Sequence, residues 1–330
     1  MILNPAIIAL IGGSILLSFY SLYASLIGVR ILRWWDIRSG SERQLALERK
    51  TYLVSTLLAY LVAVEFLSLF LFIHTADALH EVFVGAMCAA GSLNAGRCGY
   101  ATLVVKIVSV MLCGSWLIVN AVDNRAFDYP LIRQKYKLLL AVSLLLTVEA
   151  LLQFGYFSSL KANVITSCCG TLFSAAQEGV MGDLAAVSPG WGRVVFFASF
   201  LFAVGAGIYF LRTRKGARLF SAAGLWFFAF SIVALISFIS VYYYELPTHH
   251  CPFCILQKEY HFIGYPLYFT LLAGGVSGVG VGILDRLRGP DSLKEIIPSA
   301  QRRLCLASLV CFALFAAVAV YPMVFSDFVL

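Results

Sequence analysis

Residues 304–325 read LCLASLVCFALFAAVAVYPMVF, an apolar run without a single charged side chain, set directly behind Arg302 and Arg303. The hydrocarbon core of a bilayer needs about 20 such residues to be crossed as a helix. Seven further runs meet the same requirement: 5–29, 52–74, 100–122, 138–157, 192–212, 218–244 and 262–284. They are continuous, whereas the strands of a membrane barrel show short alternating segments. Composition agrees. The 330 residues are 61% apolar and 12% charged, against roughly 25% charged in soluble domains, and the mean hydropathy is +0.89. These values exclude a soluble globular enzyme, a disordered chain and a nucleic-acid-binding module. The expected fold is an all-α integral membrane protein of eight transmembrane helices, a single polytopic domain embedded in a lipid bilayer.

Orientation follows from the basic residues, because Lys and Arg near span ends favour the cytoplasmic side. Arg30, Arg33, Arg38, Arg43, Arg49 and Lys50 follow the first span, and Arg125, Arg133, Lys135 and Lys137 follow the third. Arg212, Arg214, Lys215 and Arg218 follow the fifth, and Arg286, Arg288, Lys294, Arg302 and Arg303 the seventh. Nineteen of the 24 basic residues thus occupy alternate loops, read as solvated anchors. Both termini and the loops 75–99, 158–191 and 245–261 are expected outside. The first run lacks a basic leader and is followed at once by Arg30 and Arg33, so it reads as a retained span. Tyr242–Tyr244 and Trp191 read as outer belt residues, and Trp34, Trp35 and Trp226 as inner ones. The expected location is the inner (cytoplasmic) membrane, with the cysteine-rich loops on the periplasmic side.

Six of the nine cysteines fall in those outer loops: Cys88 and Cys98, Cys168 and Cys169, Cys251 and Cys254. In an oxidising compartment such cysteines are disulfides, redox thiols or soft-metal ligands. All five histidines lie on the same side or its edge. A weak internal similarity accompanies them. Val64-Glu65-Phe66-Leu67 leads to Cys88-Ala89-Ala90-Gly91-Ser92-Leu93, and Val148-Glu149-Ala150-Leu151 leads to Cys168-Cys169-Gly170-Thr171-Leu172. It suggests outward-facing helical hairpins over 52–122, 138–212 and 218–284, closed by a terminal helix at 304–325.

The densest chemistry is Thr248-His249-His250-Cys251-Pro252-Phe253-Cys254-Ile255-Leu256-Gln257-Lys258. A C-x-x-C pair can close a disulfide, and its first thiol is often a good nucleophile. Here it stands where the chain enters the seventh span, so a helix N-terminus is expected beneath it. Redox activity, metal ligation and a structural staple all remain open on these residues alone. Ile255 in place of histidine excludes a c-type haem site.

Around this motif, residues 230–272 resemble the first helical hairpin of the disulfide bond formation protein B family and, more distantly, vitamin K epoxide reductase. Cys251, Cys254 and Lys258 match that family's C-x-x-C and the basic residue after it, with Lys258 where the family usually has Arg. The resemblance implies thiol oxidation by a membrane quinone bound near Lys258 and His250, with a periplasmic thiol protein as partner. No second outer cysteine pair follows the motif, so any partner cysteine has to come from an upstream loop.

Other groupings carry alternatives. Adjacent Cys168 and Cys169 suit pairing elsewhere or joint binding of a soft metal. Cys88 and Cys98 suit a structural loop disulfide. His249, His250, Cys251, Cys254, Cys168 and Cys169, with Cys88, Cys98, His80, Met87 and Met181, form a ligand set suited to Cu, Zn or Hg. Glu65 and Glu149 lie deep in spans, where an ionisable group costs at least about 2.5–3.5 kcal/mol. They read as a proton path or quinone contact, or, for Glu65, as a structural pair with Lys106. A structural subunit of a larger membrane complex is the third function class these features allow.

Overall fold

A computed structural model of the chain describes residues 3–162, 164–166 and 187–328. Among them are eight helices long and apolar enough to cross a membrane. The helices are α1 (Pro5–Trp34), α2 (Glu42–Ala78), the short α3 (Ala89–Ala95), α4 (Gly99–Asp123), α5 (Ile132–Ser159), α6 (Pro189–Thr213), α7 (Ala217–Ala234), α8 (Gly264–Arg286) and α9 (Ile296–Phe325). α7 runs on through a π turn, Leu235–Ile239, into Ser240–Tyr244. No strand occurs among the described residues beyond an isolated bridge between Val84 and Ile165.

Several helices extend past their apolar runs, most clearly α2, which begins at Glu42. Polarity alone does not end a helix, and long basic side chains can reach water from its last turns. Caps and proline set the boundaries instead. Asn4 Oδ1 accepts the Ala6 N–H at 2.9 Å ahead of Pro5 in the first turn of α1, and Pro189 opens α6.

The chain divides into two compact units. Unit 1 comprises Met1–Ile73, Gly96–Leu160 and Arg286–Ala300. Its core joins Leu17, Ile27, Leu58, Trp116, Tyr136 and Leu146. α1 and α5 are further joined by hydrogen bonds that apolar surfaces cannot supply: Ser18 Oγ to the Leu146 carbonyl at 3.0 Å, Ser25 Oγ to Ser143 Oγ at 2.8 Å, and Gln153 Nε2 to the Leu10 carbonyl at 2.8 Å. At the α4–α5 turn, Asp123 takes the Leu131 N–H and Lys135 Nζ, each at 2.8 Å. Lys135 is therefore not the solvated anchor expected from its place in a basic loop. It is fully buried, because Asp123 supplies the countercharge.

Unit 2 comprises His74–Ala95, Lys161–Asp285 and Gln301–Leu330. Phe196, Phe227, Phe238, Phe312 and Phe315 form its aromatic centre. Close approach of α8 relies on glycine. A Cβ on Gly282 would stand 2.5 Å from Ser221 Oγ, and one on Gly274 2.6 Å from the Phe312 ring. Pro322 lies inside α9 and has no N–H for the Val318 carbonyl one turn back; the Tyr243 hydroxyl donates to that carbonyl at 2.6 Å.

Both units leave large apolar side chains exposed, including Phe19, Leu26 and Leu151 in unit 1 and Leu201, Phe202 and Trp226 in unit 2. Surfaces of this kind match acyl chains and not water.

Candidate functional site

The C-x-x-C lies in the connection between α7 and α8, in unit 2. It does not sit on the N-terminus of α8, which begins only at Gly264. Two 3₁₀ turns, Cys254–Leu256 and Lys258–Tyr260, intervene. The helix-end field expected at these sulfurs is thus displaced by ten residues of turn. A backbone donor stands there instead: the Phe253 N–H points at Cys251 Sγ over 3.4 Å.

Side chains from the flanking helices hold the motif. The Tyr244 hydroxyl, at the end of the α7 extension, donates to the Cys251 carbonyl at 2.5 Å and accepts the Ile255 N–H at 2.9 Å. The Tyr268 hydroxyl on α8 donates to the Pro252 carbonyl. His250 places Nδ1 3.0 Å from the Ile236 carbonyl inside the π turn. A π turn shifts the helical hydrogen-bond register, and here a carbonyl within it takes a histidine from the loop. With a proton on Nδ1, Nε2 of His250 carries the ring's lone pair.

The third sulfur comes from the segment after α2. Cys88 Sγ lies 3.5 Å from Cys251 Sγ, and the sulfurs of Cys88, Cys251 and Cys254 all fall within 4.8 Å of one another. All three residues are buried. Two residues outside the motif set this approach. Asp77 Oδ1 accepts the Ala89 N–H at 3.0 Å and Gln257 Nε2 at 3.1 Å, and Gln257 Nε2 also reaches the Met87 carbonyl at 2.9 Å. The segment carrying Cys88 and the turn after Cys254 are therefore fastened to the same carboxylate and amide. Sequence reasoning passed over Asp77, Gln257 and Tyr268, and read Tyr244 as a belt residue, whereas it is buried with its hydroxyl on the motif backbone. The only linear hint was their closeness to cysteines or to a span end.

His249 Nε2 stands 3.4 Å from Cys254 Sγ, its ring edge-on to Tyr244. Lys258 is exposed on its 3₁₀ turn. His80 turns its Nδ1 to the Asp77 carbonyl. Cys98 is not joined to Cys88. It is exposed at the start of α4, with a left-handed backbone at φ 65°. Cys168, Cys169 and Met181 lie outside the described residues.

Unit 1 holds a separate group of ionisable side chains. Lys106 Nζ on α4 meets Glu149 Oε1 on α5 at 2.6 Å and Glu65 Oε1 on α2 at 3.0 Å, and donates to Ser68 Oγ at 2.7 Å. Position along the spans suggested Glu65 with Lys106. That Glu149 shares the same ammonium emerges only from the packing of α5 on α4.

In chemical terms, three sulfurs at these separations can exchange a disulfide after a shift of about 1.5 Å, since an S–S bond is about 2.05 Å long. They can also surround one soft metal ion, because Zn–S bonds of about 2.3 Å put tetrahedral sulfurs about 3.8 Å apart. No protein-family model, curated protein or solved structure matches this chain.

Proposed function

We propose that this protein is a membrane thiol–disulfide oxidoreductase that passes electrons from periplasmic thiols to a membrane quinone through Cys251 and Cys254, with Cys88 as an internal exchange partner. The observation that carries the reading is the 3.5 Å approach of Cys88 Sγ to Cys251 Sγ. It supplies the upstream cysteine that the C-x-x-C motif lacks downstream. A thiolate on an incoming dithiol attacks the Cys251–Cys254 disulfide at Cys251, Cys254 leaves as a thiolate, and the second incoming thiol releases the mixed disulfide. The two protein thiols then return to the disulfide, and their two electrons and two protons convert quinone to quinol. Cys88 exchanges with Cys251 without a net redox change. The quinone comes from the resemblance to the disulfide bond formation protein B family. The periplasmic setting, with both termini outside and an inner-membrane location, rests on the alternation of basic loops.

The purified protein in lipid vesicles is reduced, freed of reductant and given a water-soluble quinone. Alkylation and intact mass then count its thiols. The reading expects two thiols lost per quinol formed, and no such loss in Cys251→Ser. Full retention of thiols in the wild type sinks it.

A second reading is favoured by the mutual 4.8 Å span of the three sulfurs, with His249 Nε2 beside Cys254. Three thiolates and an imidazole suit Cu(I), Zn(II) or Hg(II). Metal analysis of the same preparation separates the two. Stoichiometric metal that protects all three cysteines from alkylation supports binding or transport in place of exchange.

A further inference from the structure

The polar cluster in unit 1 contains two carboxyl groups and one ammonium, and their side chains are 2% (Glu65), 1% (Glu149) and 0% (Lys106) exposed. A lysine ammonium has three donors. Lys106 directs them at Glu65 Oε1, Glu149 Oε1 and Ser68 Oγ, three acceptors for three N–H bonds. That arrangement is the charged form of lysine with its donors matched.

The countercharge is then in excess. Two ionised carboxyls against one ammonium would leave a net negative charge among apolar helices, where an uncompensated ion is strongly disfavoured. The surroundings offer no second cation among the described residues. α2 contributes Ser68 and Phe72, the ring of Phe72 lying 5.9 Å from Lys106 Nζ. α4 contributes Cys113, a buried thiol. α5 adds Gln153, whose amide is directed at the Leu10 carbonyl and Ser14 Oγ of α1. The buried polar residues of α1 are serines: Ser14, Ser18, Ser21 and Ser25. The other buried lysine, Lys135, is matched by Asp123. Glu149 Oε2 is buried and has no hydrogen-bond partner among the described residues, so an ionised Glu149 would leave part of its charge bare. One added proton makes the cluster neutral.

We propose that Glu65 and Glu149, clamped by Lys106, form a proton-binding site within the membrane-spanning part of unit 1, holding one proton between two carboxyl groups. The inference is independent of the thiol chemistry in unit 2 and stands if that reading fails.

Infrared spectroscopy of the full chain in lipid at neutral pH tests it, because a protonated carboxyl gives a C=O stretch apart from carboxylate bands and shifts in D₂O. The wild type is expected to show one such group per chain. Glu65→Gln and Glu149→Gln each leave one acid for one lysine, so the band should vanish in both. Lys106→Met removes the cation and should double it. A wild type without the band overturns the proposal whatever the variants do. So does a band that persists in both glutamine variants, since its proton would reside elsewhere. Because the wild-type and glutamine spectra decide the matter, failure of Lys106→Met to fold does not protect the idea.

Discussion

Cys88 Sγ and Cys251 Sγ lie 3.5 Å apart although 163 residues separate them in the chain. Oxidation should therefore join them readily once their rival is gone. In Cys254→Ser, mild oxidation is expected to give a Cys88–Cys251 disulfide as the main product, read by peptide mass mapping without reduction. A dominant link from Cys251 to any other cysteine would refute the geometry.

The approach depends on Asp77 and Gln257. Gln257→Ala removes the amide from both the Asp77 carboxylate and the Met87 carbonyl, a loss of about 1–3 kcal/mol. Cross-linking between Cys88 and Cys251 should slow several-fold in a Cys254→Ser background, while the helical circular dichroism stays unchanged. An unaltered rate would mean that the loop holds its place by apolar packing alone.

The Asp123–Lys135 pair is fully buried. Removing one partner strands the other charge, so Lys135→Met should destabilise the fold by about 3–5 kcal/mol. Asp123→Asn added to it is expected to recover part of that loss, because the stranded carboxylate is gone. Thermal unfolding in detergent reads both effects. Equal stability of the single and double variants would count against a charge-based cause.

At Pro322 the missing N–H leaves the Val318 carbonyl to Tyr243. Tyr243→Phe should cost about 1–3 kcal/mol. Pro322→Ala in the same chain restores a helical donor to Val318 and should return most of the loss. A double variant no more stable than Tyr243→Phe would show that Tyr243 acts through something other than this bond.

Much of the architecture was legible in one dimension. The uncharged run 304–325 and its seven counterparts each lie largely within an observed helix, because a span is decided by local composition over about 20 residues. A Cβ at Gly274 or Gly282 would meet Phe312 or Ser221, neighbours that only the packing of α8 supplies. Helix ends were less legible. α2 begins ten residues before its apolar run, where backbone hydrogen bonding continues beyond the hydrophobic signal.

The sites divide along the same line. Composition and contiguous apolar runs alone determined helices long and apolar enough to cross a membrane, with acids at 65 and 149 inside two of them and a C-x-x-C between two others. Tertiary structure decided what those residues meet. Spacing along the chain groups Cys88 with Cys98, ten positions along; in the fold its sulfur instead lies 3.5 Å from that of Cys251, where Asp77 and Gln257 fasten two distant segments. Lys135 looked like a solvated anchor until the α4–α5 turn folded Asp123 onto it. Glu149 joined Glu65 on one ammonium only when α5 packed against α4. Spans are set by the transfer of contiguous residues into hydrocarbon, a local property. Partners of buried polar groups are set by which segments the fold brings within hydrogen-bonding reach, and no linear pattern encodes that.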